Sequence, residues 1–284
     1  MTTTHTAQAP APVLASSFAA RLRWSFTDGL TLVGRELSRL RQEPGEIVVA
    51  LIFPAVMVVL FGYVFGSAIQ VPGGGNYREY LMPGLFAMVT FSSIMATTLK
   101  VATDASRGVM DRFRSMPMAR SAVPFGQTGA DTLLGGVLGL GIMAVAGLVV
   151  GWQPHRGLVP TVQAFLLLMV MRYAVSWVGC YLGMVVKNEQ TADQLVPLFL
   201  PFTMVSNSFV PTGGMPAWLR TLADWNPVSA LTAACRELFG NPGVPAGDAA
   251  WPIAHPVTAT LLWSAFLLVV FVPLTVRTYQ RKGR

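Results

Sequence analysis

Charge is scarce in this 284-residue chain, 12% against 53% hydrophobic residues, so wherever charged side chains gather, recognition or chemistry becomes possible. The densest gathering runs from Asp104 to Arg120, DASRGVMDRFRSMPMAR. It holds Arg107, Arg112, Arg114 and Arg120, with Asp104 and Asp111 among them and Lys100 just before. Met110, Phe113 and Met116 recur every third residue, which places them on one face of a short helix that Pro117 ends. An apolar wedge rimmed by arginines suits docking into another protein. The same stretch also fits a plain solvated loop between two membrane spans.

Arg172 is the other outstanding charge, because it lies deep inside a hydrophobic run. An ionised side chain there costs at least about 2.5–3.5 kcal/mol. It either lines a translocation cavity, anchoring an anionic group of a substrate, or it is held structurally by pairing or by snorkelling. Asp131, on the preceding run, is the available partner. A reckoning at about 1.5 Å per residue sets the two some 10 Å apart in depth, which speaks against that pair. Asp193 borders the short polar stretch KNEQTAD.

Other chemistry is missing from the pattern. No G-x-x-x-x-G-K-[ST] phosphate loop occurs, nor an H-E-x-x-H helix, paired carboxylates or a Ser-His-Asp set in plausible loops. His5, His155 and His255 are scattered, and Cys180 and Cys235 imply neither a disulfide framework nor a metal site. The chain is therefore expected to perform no covalent chemistry and to bind no cofactor of its own. Energy for any active transport must come from a partner or an ion gradient, and few acids lie where a gradient would need them.

The elements that must position these residues are membrane helices. Such a composition cannot cover its own surface with polar groups, so the chain reads as an all-α integral membrane protein. Its net charge of +7 is spread between hydrophobic runs rather than along one face, which suits lipid headgroups and topology, not nucleic acid. Residues 1–20 read as a disordered tail. In residues 21–46, Phe26, Leu30, Val33, Leu37 and Leu40 form an amphipathic stripe backed by Arg35, Arg39 and Arg41, and Pro44-Gly45 ends it. Such a helix lies in the interface plane.

Six runs then reach spanning length, at about 47–69, 80–101, 124–150, 160–186, 194–212 and 254–276. Six spans put both termini on one side. That side carries fifteen Lys and Arg, against Arg78, Arg156, Arg220 and Arg236 on the other, which makes the termini and the 102–121 loop cytoplasmic. Outside, residues 213–253 read as one or two short helices dipping into the outer leaflet, with Trp218, Trp225 and Trp251 at headgroup level. Val228, Leu231, Ala234, Cys235 and Leu238 form an apolar stripe opposite Arg236 and Glu237, and Gly240 caps it. Gly62/Gly66, Gly135/Gly139 and Gly179/Gly183 have the spacing of close helix contacts.

Three stretches resemble the ABC-2 type transporter permeases, in their daunorubicin-resistance (DrrB-like) branch. They are DASRGVMDRFRSMPMARSAV, RYAVSWVGCYLGMVVKNEQTAD and SNSFVPTGGMPAWLRTLADWNPVSALTAACRELFG. The third holds Phe209-Val210-Pro211, Met215-Pro216, Asn226-Pro227 and Arg236-Glu237-Leu238. The resemblance implies a six-span permease of an ATP-driven exporter with an N-terminal interfacial helix, a coupling helix after the second span and re-entrant helices before the sixth. It implies a cytoplasmic ABC ATPase in two copies, carrying ATP and Mg, and a second permease subunit, identical or homologous. On that reading Arg107, Met110, Phe113, Arg114 and Met116 couple to the ATPase, and Arg35, Arg39 and Arg41 make a secondary contact. Arg172, Asn207 and Phe209 are the candidates for the substrate path. A membrane-embedded lipid- or isoprenoid-modifying enzyme and a non-transporting drug-binding immunity protein are the competing readings. The first would need a polar cluster at the interface, which the pattern does not show, and an ATPase that co-purifies with the chain would favour the exporter over both.

Overall fold

Asn76 opens the first helix that the computed structural model describes, its side chain accepting the N–H of Arg78. Besides residues 56, 60 and 71, the structure describes residues 74–108, 122–186, 188–243 and 249–281, and every regular element among them is helical. Helix α1 (Tyr77–Phe91) passes through Ser92 into α2 (Ser93–Ser106). Ser92 donates to Met88 and accepts from Met95 and Ala96, so the backbone bonding continues and the two form one apolar rod, Tyr77–Ser106.

Helix α3 (Ala122–Asp131) runs through a π-helical turn, Thr132–Gly136, into α4 (Val137–Val150), and α5 spans Leu158–Val185. Next comes α6 (Glu189–Met204), then a 3-10 turn at Thr212–Gly214, α7 (Ala217–Trp225), α8 (Pro227–Phe239), α9 (Trp251–Ala254) and α10 (Pro256–Arg281).

Four of these stretches are long and apolar enough to cross a bilayer: Tyr77–Ser106, Val123–Val150, Leu158–Val185 and Pro256–Arg281. They coincide with the runs expected at 80–101, 124–150, 160–186 and 254–276. Of the run at 194–212, α6 covers the first part, with Pro197 and Pro201 inside it, and the chain leaves the helix at Val205. The tail, the interfacial helix of 21–46 and, but for residues 56 and 60, the run at 47–69 lie outside the described residues.

Helix α5 is the centre of the bundle, packed against α1, α2, α3, α8 and α10. Its Gly179 and Gly183 explain how α2 comes so close. A Cβ at Gly183 would stand 2.6 Å from the carbonyl oxygen of Thr98, and one at Gly179 would run into that of Ile94. Thr98 uses the closeness, donating its hydroxyl to both Ile94 and Gly179. Of the glycine pairs singled out by spacing, Gly62/Gly66 lies outside the described residues, and of the other two this one seats a neighbouring helix backbone.

Helix α8 is wedged between α1, α5 and α10 and is buried almost all round. Asn226 fixes its start: the side-chain oxygen accepts from Val228, and the amide donates to Phe202 and Val205, taking up carbonyls that the end of α6 leaves over. Gly240, at φ 73°, closes α8 as the spacing predicts. Between α1, α5 and α8 lies an aromatic knot in which Phe86 meets Trp152, Phe165 and Phe239. Trp152 is anchored there by its indole N–H, which donates to Asn241 at 2.8 Å.

Candidate functional site

Among the described residues, two buried polar assemblies interrupt the apolar bundle. The inner one is built on Arg172, in the middle of α5, which is 4% exposed. Its guanidinium forms a salt bridge with Asp131 at 3.3 Å, donates to the Asp131 carbonyl and reaches the Val89 carbonyl at 3.0 Å. The structure thus makes the pair that the depth reckoning argued against. That reckoning compared backbone positions, whereas an arginine stem can run along its helix to reach a partner at another depth.

Local sequence makes the room. Asp131 ends α3 at the π-helical turn, where the backbone bonding is loosened and a guanidinium can reach the Asp131 carbonyl. Gly135 and Gly136 follow. A Cβ at Gly135 would collide with the guanidinium, and one at Gly136 would stand 3.1 Å from the Arg172 stem. Bulkier residues here would close the slot.

The outer assembly holds the break after α6. Three consecutive carbonyls, those of Asn207, Ser208 and Phe209, take donors from other helices. Tyr77 donates its hydroxyl to Phe209 at 2.8 Å, and Tyr80 donates to Asn207 at 2.9 Å. Arg236 of α8 donates to Asn207 at 2.9 Å, to Ser208 at 3.2 Å and twice to the carbonyl of Tyr80. Its guanidinium carbon also sits 3.6 Å from the centre of the Tyr80 ring, a cation–π arrangement. Hydroxyls of α8 complete the hold: Ser229 accepts the Asn207 N–H, and Thr232 shares a hydrogen bond with Ser208.

Of the substrate-path candidates, Asn207 and Phe209 therefore share one clamp, both buried. Arg172 belongs to the other assembly, bonded to Asp131 and Val89. Among the residues expected to couple to an ATPase, Arg107 caps the end of α2 and is exposed. Met110, Phe113, Arg114 and Met116, and likewise Arg35, Arg39 and Arg41, lie outside the described residues. The ends of the helices flanking that segment are tied together, since Gln127 of α3 donates to Asp104 of α2 at 3.2 Å.

Arg236 corrects the sequence reading most. Set opposite the apolar stripe, it was placed on a polar face, yet it is 1% exposed. Its helix has protein on every side, so the face that looked solvent-bound meets the loop carbonyls instead. The available signal was the spacing of Ser229, Thr232 and Arg236 at three and four residues, a polar stripe of its own. Tyr77 and Tyr80 carried no comparable mark.

A profile of the ABC-2 type transporter family matches residues 28–239. The chain is 30% identical over 260 residues to a daunorubicin resistance ABC transporter permease protein of Streptomyces coeruleorubidus, covering 89% of this chain and 86% of the relative. To a doxorubicin resistance ABC transporter permease protein of Mycobacterium tuberculosis it is 27% identical over 253 residues, 84% of each. A putative transport permease of Porphyra purpurea matches at 23% over 214 residues, 74% of this chain and 73% of the relative. With helices of spanning length and a family match over most of its length, the chain belongs to the ABC-2 type transporter family of membrane permeases.

Proposed function

We propose that this chain is the transmembrane permease subunit of an ATP-driven exporter, moving a hydrophobic or amphipathic drug or lipid-like substrate outward. The observation that carries the reading is the long match to permeases named for daunorubicin and doxorubicin resistance. On this reading there are six spans, at about 47–69, 80–101, 124–150, 160–186, 194–212 and 254–276, with both termini cytoplasmic. Residues 21–46 form the interfacial connecting helix, 102–120 the coupling segment and 213–253 the outer re-entrant segment. Exposed Trp218, Trp225 and Trp251 are in keeping with an outer segment that meets headgroups.

Power comes from a separate cytoplasmic ABC ATPase in two copies, which holds ATP and Mg. A second permease subunit, identical or homologous, completes the path, with Arg172, Asn207 and Phe209 along it. Coupling falls to Arg107, Met110, Phe113, Arg114 and Met116, aided by Arg35, Arg39 and Arg41. The tie between Asp104 and Gln127 supports this, because it gives the segment a firm base.

The test is a pull-down of the tagged full chain from its native membrane, followed by ATPase and transport assays in lipid vesicles with daunorubicin and doxorubicin. An ATPase subunit should co-purify, and vesicles should move drug only when ATP is supplied. A chain that purifies without an ATPase and changes a lipid covalently would put the enzyme reading in its place.

A further inference from the structure

The long apolar stretch Val123–Val150 is held unequally along its length. Beyond its π-helical turn, α4 packs on α1 and buries Leu140, Met143 and Gly147. The contact is close, since a Cβ at Gly147 would run into Met82. Before the turn, α3 is fastened by a few side chains. Gln127 donates to Asp104 of α2, and the Asp131 carboxylate takes Arg172 of α5 and Thr97 of α2. Phe125 meets the Trp177 ring edge-on at 4.7 Å, and Val123 rests on the small apolar cluster around Cys180. The packing of α3 on α2 is light compared with that of α2 on α5.

Between the two halves, Thr132–Gly136 is a π-helical turn, an irregularity at which helices bend sharply and which is common at functional sites. Side chains take up the loosened bonding there: Thr132 turns its hydroxyl onto the Thr128 carbonyl, and Arg172 donates to the Asp131 carbonyl. Gly135 and Gly136 seat the turn directly on α5, where a Cβ would strike Arg172 or Met169. A seated turn with one end firmly packed and the other lightly clipped is the arrangement of a pivot.

We propose that Thr132–Gly136 is a hinge, on which α3 swings away from α2 and α5 as a lever while α4 stays in place. The Gln127–Asp104 and Asp131–Arg172 contacts are its latches. Residues 109–121 lead into α3, so a pull on that segment reaches Asp131 through ten residues of helix, about 15 Å. The swing lifts the carboxylate off Arg172, which keeps the Val89 carbonyl as a partner. That an ATPase supplies the pull rests on the function proposed above; the hinge itself does not.

Spin labels on the full-length protein in lipid nanodiscs read the swing without an ATPase. Gly126→Cys, with open space beyond it, and Ser106→Cys, exposed on α2, report the lever. Gly141→Cys, also with open space, and exposed Val162→Cys report α4 against α5. Gly126 stands six residues, about 9 Å, from the turn, so a change in bend of about 30° moves it about 5 Å. Gln127→Ala with Asp131→Ala removes both latches. It should lengthen the first distance by that amount and leave the second unchanged. Deleting exposed Leu133 takes out the extra residue of the turn and leaves a regular helix with both faces in register. In the unlatched variant this deletion should restore the short distance. An unlatched lever that stays put, a long distance that survives the deletion, or a second pair that lengthens as much as the first overturns the hinge. The two label pairs decide the question even where the deletion does not fold. A swing in a chain that recruits no ATPase supports the hinge while the exporter reading falls.

Discussion

Arg172 and Arg236 are two buried arginines held by different means, and substitution should separate them. Arg172 has a carboxylate partner, so Asp131→Ala, which strands the guanidinium, should cost about 3–5 kcal/mol of stability, and the paired change Asp131→Leu with Arg172→Leu should recover most of it. Thermal unfolding of the purified protein in lipid nanodiscs measures both. A double variant that is stable yet inactive in export would place Arg172 on the substrate path. One that regains export would make the pair structural.

Arg236 is held by carbonyls and a tyrosine ring. Arg236→Met fits the space but leaves those carbonyls short of donors, an expected loss on the order of 3 kcal/mol from the penalty for unsatisfied buried groups. The same unfolding assay reads it, and an unchanged midpoint would show that the clamp does not depend on this side chain.

At the scale of elements, close helix approach is decided by which glycines face a backbone. Gly183→Val should cost about 1–3 kcal/mol through overpacking, because its new atoms meet the Thr98 carbonyl. Gly141→Ala has open space beyond it and should be neutral or stabilising by about 0.4–1 kcal/mol. The Gly135/Gly139 pair shows why spacing alone misleads: Gly135 makes room for a guanidinium rather than for a helix.

The proposed coupling segment, residues 102–120, has its own prediction. Full burial of a Phe side chain contributes roughly 1.5–3 kcal/mol, and each ion pair at the rim about 0–1 kcal/mol. Phe113→Ala should therefore weaken ATPase co-purification more than any single Arg→Ala, and Phe113→Asp should abolish it with the protein still in the membrane. Normal recruitment by Phe113→Asp would reduce the segment to a topology signal.

For the molecule as a whole, the four long helices among the described residues were legible because their hydrophobic runs are long, carry few charges and are bounded by Gly, Pro or charge. The break after Met204 was not. Residues 205–211 close the run at 194–212 and were counted with it, whereas Tyr77, Tyr80 and Arg236 hold them as a broken turn by donating to their carbonyls. The ion pair was half legible, since both partners stood out but side-chain reach did not. The proposed topology makes a direct prediction. On intact cells an impermeant thiol reagent should modify Ala246→Cys and leave Ser106→Cys untouched, and the reverse pattern would invert the protein. Native Cys180 and Cys235 are both 0% exposed, so neither should add background.

The hydrogen bond between Asp104 and Gln127 closes the foot of residues 109–121 with side chains that belong to the helices, not to the segment. Whatever sequence the segment carries, its two ends leave and rejoin the bundle at the same place. Such a foot makes the segment exchangeable. On the function proposed above, a graft of residues 109–121 between related permeases, cut at 108 and 122, should transfer the choice of ATPase without disturbing the spans.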